Sequence, residues 1–445
     1  MESRDFGVLV KNAQDDTWDD VVRMAVGHAR PDERTRILRG LLKRADKVKG
    51  ARNRLVLLAA ACLEHAPELD PSLRREIQSR TAELLPPRTP EQAEELAKAG
   101  ELVLELLPGP SDGLGEGEAA ATIRTAALVG GERALAVISR FREDVRPRVA
   151  SELDDSWGQF KADAYARAVL CGASLGNSVL TLRTQPQLDC LAALPQFDRL
   201  RLSEVPRVPP EVAARRGLRM LYVLDSPELT DLAPLAGHRK LEHIGLTNCT
   251  ALSDLGPLAE LPLKNLFTFG SHRVDLGVLE RLPQLAYLGL ATTGGHRSVG
   301  ELPGRQQLTS LWLYEGAEDL SLEGLERWPG LLHLSLAGSR QAEELRATAR
   351  PPDLTSFQLL HHHAFRTEDL LRFPRLDSIF FTDCRFTAGV GALKELAGLT
   401  ALSFSSCGTV DLTPLAGLPG LTVHVYGGTD VRGLETLPPE RLRLH

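Results

Sequence analysis

Cysteine is scarce in this chain: six residues in 445, with no two of them in a C-x-x-C pair. That spacing is what a zinc knuckle or a dithiol redox centre needs, so neither is indicated, and no disulfide framework can be drawn from so few scattered thiols. No apolar run approaches the roughly 18–20 residues that span a bilayer. The opening Met1-Glu-Ser-Arg-Asp-Phe6 has no basic stretch leading into an apolar one, so no secretory signal is read and a cytoplasmic location is expected. The dipeptide Gly-Lys occurs nowhere, which excludes the phosphate loop that ends in Gly-Lys-Ser/Thr. No hydrophobic run closes on paired acids to make the companion magnesium-binding strand. An excess of positive charge is missing too. The net charge is -7, with 26 basic and 29 acidic side chains in residues 1–170 and 26 against 30 in the rest. A general affinity for nucleic acid is therefore not expected.

What the chain does have is leucine at a fixed interval. The pattern L-x-x-L-x-L starts at Leu175, Phe197, Leu218, Leu241, Leu263, Leu285, Leu308, Leu331, Leu354, Leu376, Leu399, Leu421 and Leu442, a period of 21 to 23 residues whose first and last members are imperfect. Such a period predicts a leucine-rich repeat solenoid, each unit adding one short strand and a return segment to a stack. The return segments Leu229-Thr-Asp-Leu232-Ala-Pro-Leu235, Leu252-Ser-Asp-Leu255-Gly-Pro-Leu258 and Val410-Asp-Leu412-Thr-Pro-Leu415 are short and carry proline, so extended or 3₁₀ turns are expected there in place of full helices. They resemble the short bacterial class of this repeat. Cys249, Cys384 and Cys407 each stand eight residues after a repeat start, where the repeat places Asn or Cys to bond the turn backbone.

Residues 1–170 read differently. Trp18, Val21, Val22, Ala25, Val26 and Ala29 share one helical face. Pro31 opens a helix carrying Ile37, Leu38, Leu41 and Leu42, and Leu55, Leu58, Ala59, Cys62, Leu63 and Ala66 form a third stripe. Asp70-Pro71 is an N-cap followed by an N1 proline. Thr89-Pro90-Glu91-Gln92 fits a capping box. Further stripes run through 118–129, 132–141 and 152–170, with breaks at Pro86-Pro87 and from Pro108 to Gly117. The expected class is α+β with two domains: an all-helical array over 1–170, capping a leucine-rich repeat domain of about 12 repeats over 171–445.

Asp16-Thr-Trp18-Asp-Asp-Val-Val22-Arg-Met-Ala-Val-Gly27-His28-Ala-Arg30-Pro31 resembles the helical segment that follows the ATPase module in bacterial NACHT-type STAND NTPases. Arg54-Leu-Val-Leu-Leu-Ala-Ala-Ala-Cys62-Leu-Glu64, Ala99-Gly-Glu-Leu-Val-Leu-Glu-Leu-Leu-Pro108, Ala126-Ala-Leu-Val-Gly-Gly-Glu-Arg-Ala-Leu135 and Glu152-Leu-Asp-Asp-Ser-Trp157 look similar. The resemblance covers roughly 15–170 and rests on helix packing. It implies the arm-and-sensor half of an NLR-like receptor. The family's ATPase cannot be carried over, because its phosphate loop is absent.

Within each repeat, counting the first leucine as zero, offsets 0, 3 and 5 should point into the core and offsets 2, 4 and 6 out along the concave sheet. The fourth-offset column reads Val179, Arg201, Tyr222, Gly245, Phe267, Gly289, Trp312, Ser335, Gln358, Phe380, Ser403 and Val425. With the adjacent columns it yields candidate ligand-binding residues Tyr222, His243, Phe267, Phe269, Tyr287, Trp312, Tyr314 and Phe380, with His333 beside them. Rings alternating with Gly245 and Gly289 would make ridges and slots. Exposed apolar patches mark partner sites, and Trp and Tyr dominate their energetics. The competing reading is that the rings stack only to brace the sheet.

Three further sequence signals are weaker. Gly172-Ala-Ser174-Leu-Gly176 fits G-x-S-x-G, but a hydrolase needs a strand before the serine and a helix after it, and here the order is reversed. His361-His362-His363 is a run of consecutive loop residues without acidic or thiol companions at ligand spacing, so a solvated turn is expected over a metal site. Arg34 to Arg54 holds nine basic residues against Asp46 alone, usually one wet helix face, with a phosphate-bearing partner as the other reading. No catalytic residue, cofactor or metal is assigned. The expected role is a non-enzymatic sensor that binds a protein ligand on its concave face. The resemblance implies a bacterial STAND-type anti-phage setting, with either an NTPase on a separate chain or this chain as the remnant of a split gene. The alternative is a constitutive scaffold, or a repeat protein that self-associates through Arg441-Leu-Arg-Leu-His445, a repeat begun and left uncapped.

Overall fold

In the computed structural model, residues 6–66, 68–173, 176, 178–271, 273–304, 308–348 and 352–445 are described. By compactness the chain parts at Gln196 and Phe197, later than the change of element type expected near residue 170.

The first unit is helical for the reasons its sequence gives. Pro31 occupies N1 of the helix Pro31–Lys47, whose Ile37, Leu38, Leu41 and Leu42 are all buried. Asp70 accepts a hydrogen bond from the Ser72 amide at the start of Pro71–Ala82, and the Thr89 hydroxyl accepts one from the Gln92 amide at the start of Pro90–Ala97. Gln92 itself reaches back to the Arg88 amide at 2.8 Å, so the box closes one residue earlier than the motif places it. The helix Arg52–Ala61 is apolar on every side and packs among Pro31–Lys47, Pro71–Ala82 and Glu101–Leu106. A helix without a polar face belongs inside. Its one charged buried residue, Arg54, donates to the Ala99 carbonyl at 2.8 Å and to the Asp19 carboxylate.

Two stripes depart from expectation. In Asp19–His28 only Val22 and Val26 are buried, while Val21 is 46% exposed. The helix rests on the Cys62–His65 turn and on Pro31–Lys47, and these reach one narrow strip of it. The 152–170 stripe is broken into Pro147–Ser156, a 3₁₀ turn Trp157–Gln159, Ala162–Tyr165 and a π turn Ala166–Leu170. Fully buried Trp157 and Tyr165 set those breaks, each needing a partner for its polar tip. The indole donates to the Ala162 carbonyl at 3.1 Å and the phenol to the Leu153 carbonyl at 2.7 Å. The unit also contains strand β1, Leu180–Leu182, tied to the helices by the buried Asp154 carboxylate, which accepts the Thr181 amide at 2.8 Å.

The second unit is the leucine-rich repeat solenoid. Its strands are β2 Arg199–Ser203, β3 Met220–Leu224, β4 His243–Thr247, β5 Asn265–Phe269, β6 Tyr287–Leu290, β7 Ser310–Leu313, β8 His333–Leu336, β9 Ser356–Leu360, β10 Ser378–Thr382, β11 Ala401–Ser405, β12 Gly408–Asp411, β13 Thr422–Val425, β14 Thr429–Arg432 and β15 Leu442–Leu444. From β2 to β11, then β13 and β15, they join in chain order into one parallel sheet, while β12 and β14 pair separately. Leucine positions 0, 3 and 5 fill the interior: Leu218, Leu221 and Val223, for instance, have no exposed surface. The proline-bearing return segments form 3₁₀ turns at Ala233–Leu235, Gly256–Leu258 and Thr413–Leu415.

In most repeats the turn leaves its strand through a residue in the left-handed region, seven positions after the repeat start: Glu204, Asp225, Asn248, Gly270, His361, Asp383, Ser406 and Gly428. The next position bonds the backbone. The Cys384 thiol donates to the Thr382 carbonyl at 3.3 Å, and the Cys407 thiol donates likewise to the Ser405 carbonyl. This explains the histidine run. His361 takes the left-handed turn and contacts Asp383, and His362 is the buried turn residue whose Nδ1 accepts the Ala364 amide.

At the C-terminal end the register slips. For ten consecutive repeats the strand starts two residues after the motif leucine, but β13 starts one after Leu421 and β15 at Leu442 itself. Val425, expected on the concave face, is therefore buried, and His424 pairs with Ser403 in the outward row. Leu175 and Ser174 of the G-x-S-x-G motif lie outside the described residues.

Candidate binding face of the solenoid

Strand alternation sends Tyr222, Phe267, Trp312 and Phe380 outward in one row, in register through Gly245, Gly289, Ser335 and Gln358. None is buried, and Tyr287 is 39% exposed. Four of the eight candidates meet. Phe267 stacks beside Phe269 at 5.9 Å, and Trp312 lies 6.0 Å from Tyr314. Across the sheet Phe267 meets Trp312 edge-on at 6.0 Å and Phe269 meets Tyr314 edge-on at 4.5 Å. These are favourable ring geometries, each worth about 0.5–1.5 kcal/mol beyond buried area. The box stands on β5 and on β7 with its continuation, bridging β6, where Gly289 and Ala291 leave the floor low.

The glycines do not leave open slots. A Cβ on Gly245 would come within 2.5 Å of the Tyr222 ring, and one on Gly289 within 2.4 Å of the Phe267 ring. Each ring lies down across the glycine of the following strand. Glycine is required here because an aromatic ring needs the volume a side chain would take. The face is a paved surface, its rings half-covered by one another.

The remaining candidates sit apart from the box. Tyr222 lies on β3, beyond Gly245. His243 is on β4, where burial holds its pKa below the usual histidine value despite the Glu242 carboxylate. Tyr287 projects from β6 next to the box. Phe380, three strands further on, pairs instead with Tyr426 at 6.1 Å. Tyr426 in turn stacks on His445 at 4.5 Å, and His445 on His424. This second aromatic group is missing from the candidates read in sequence because the slipped register at Leu421 hides it. Burial pushes the Tyr314 phenol up, so it stays a neutral hydrogen-bonding group.

A depression in the first unit is unrelated to these rings. It is a cleft of about 360 Å³ lined by Asp16, Asp19, Arg23, Arg54, Glu101, Glu105 and Arg133 among others. Its arginines are paired with its carboxylates. Arg23 meets Glu105 at 2.6 Å, Arg133 meets Glu101 and Glu105, and Arg54 meets Asp19. In the basic run, Arg34, Arg39, Arg44, Arg52 and Arg54 also have partners within the unit. Among the described residues no three His, Cys, Asp or Glu side chains are grouped to hold a metal ion, and no helix is long and apolar enough to cross a membrane.

No protein-family model and no curated protein matches this chain. Among solved structures it is similar to two internalins of Listeria monocytogenes. The first (inlF) is 15% identical, with 58% of this chain and 82% of that one covered and a TM-score of 0.29. The second (inlC2) is 16% identical, with 58% and 84% covered and a TM-score of 0.22. Superposition this loose carries no argument, and the solenoid stands on its own strand register.

Proposed function

We propose that the chain is a non-enzymatic recognition protein whose concave sheet binds a protein ligand through Tyr222, His243, Phe267, Phe269, Tyr287, Trp312, Tyr314 and Phe380. The box of Phe267, Phe269, Trp312 and Tyr314 carries this reading. Rings that only braced the sheet would be buried by their own chain, whereas these keep surface open beside an exposed Tyr287. Half-covered aromatics held rigidly in place lose little entropy on binding, which is why such residues dominate interfaces. Double substitution F267A/W312A should abolish capture of the protein ligand from host lysate. The melting temperature should fall by no more than a few degrees, because both side chains lie outside the leucine core. Retained capture, or a collapsed melt, would end the reading.

The resemblance of 15–170 to the STAND helical arm supports a narrower setting: the sensor portion of a bacterial NLR-like defence system that detects invader proteins such as those of phages. The nucleotide switch would then reside on another chain. Purification of the tagged protein from its host under mild salt should bring down a chain bearing a phosphate loop. Saturable ATP turnover by the pure protein alone would contradict this.

A further inference from the structure

The concave face is distinguished by a residue type it lacks. The chain holds 59 Asp and Glu. Yet none stands at an outward position, whether second, fourth or sixth from the motif start in β2 to β11, or at Thr422, His424 and Tyr426 along the slipped β13. The carboxylates sit on the two lips. On one lip are Asp198, Glu242 and Asp377, with Glu242 neutralised between Arg219 and Lys264. On the other are Glu204, Asp225 and Asp383, at the left-handed turns. On the floor between, the charged side chains are Arg199 and Arg201 on β2, and the imidazoles of His243, His333 and His424 lie along it. The Arg201 guanidinium has no hydrogen-bond or ion-pair partner among the described residues, and its register neighbour is Tyr222.

A protein of net charge -7 with a carboxylate-free floor and an unpaired arginine at one end of an aromatic row is complementary to negative charge along that row. We infer that the ligand is an acidic, extended segment of a partner protein, laid across the strands, with its apolar anchor on the Phe267/Trp312 box and a carboxylate on Arg201. The inference rests on the recognition reading above and adds the chemistry of the partner. Spacing follows from the sheet. From β2 to β5–β7 is three to five strand intervals, about 14–24 Å at ~4.8 Å each. An extended chain covers that in about four to seven residues at ~3.3 Å per residue. The anchor and the Asp or Glu should be separated by that many positions.

The test is selection of a phage-displayed random library, with peptides of about 16 residues to exceed the required span, on the full-length protein. Selections on F267A/W312A and R201E run in parallel. The expected result is peptides that need Phe267 and Trp312 and carry Asp or Glu four to seven residues from an aromatic or large apolar residue. R201E should bind them at least tenfold more weakly and should prefer their Lys-substituted versions. Peptides that need Phe267 and Trp312 but show no acidic preference, or bind R201E equally, would overturn the charge assignment and leave the aromatic face standing. Peptides indifferent to F267A/W312A would overturn both.

Discussion

Asp154 shows how far a single side chain can be pushed by its position. It is buried between the helices and β1, accepts the Thr181 amide, and burial raises its pKa from 3.8 to about 6. A carboxyl whose folded pKa lies above its unfolded one stabilises the fold fully below pH 4, and that contribution is lost as pH rises through 6. The loss amounts to about 3 kcal/mol. Urea unfolding at pH 4.5 and pH 7.5 should therefore show about 2 kcal/mol of this loss in the wild type. D154N keeps an acceptor for Thr181 without a charge, and should remove it; an unchanged pH dependence in D154N would refute the assignment. Nothing in the sequence marks Asp154, because its neighbour Asp155 looks identical and only the packed β1 separates their environments. Cys384, by contrast, was readable from its offset alone, since every repeat must close its turn at that place. Burial pushes its thiol up to about 12, in keeping with a packing role.

At the level of elements, the repeat is what the sequence shows most directly. Stacking forces each leucine to recur where its predecessor lies, so one register error would bury polar residues throughout the sheet. The error occurs only where the sequence permits it. Leu421, Val423 and Val425 alternate in a way that fits two registers one residue apart, and the structure takes the one that buries Val425. The helical unit was less legible. Stripes such as Asp19–His28 give a face but not its width, which depends on the neighbours that cover it, and the breaks after Ser156 follow from where Trp157 and Tyr165 find partners. The modular sheet yields a test of the box. Deleting 285–307, one complete repeat, should join β5 directly to β7 with the leucine core preserved. Phe267 would then meet Trp312 where Gly289 now lies. Circular dichroism should keep its strand signature while tryptophan emission shifts and ligand capture disappears. Loss of the folded signature would show that the deleted repeat is not an independent layer.

Considered whole, the second unit is a row of nearly identical layers decorated unevenly, and the proposed binding face lies where the decoration departs from polar. The aromatic positions could be read from the sequence because outward residues alternate with core leucines. Their mutual contacts could not, since these depend on side-chain rotation across the glycines. Those rotations share one sense. Tyr222 leans from β3 over Gly245 on β4, and Phe267 leans from β5 over Gly289 on β6, like roof tiles overlapping toward the C-terminus. A surface shingled this way has a grain. A guest chain laid with the overlap would meet smooth steps and the same chain reversed end for end would meet raised edges, so a bound peptide and its reversed-sequence version should differ in affinity.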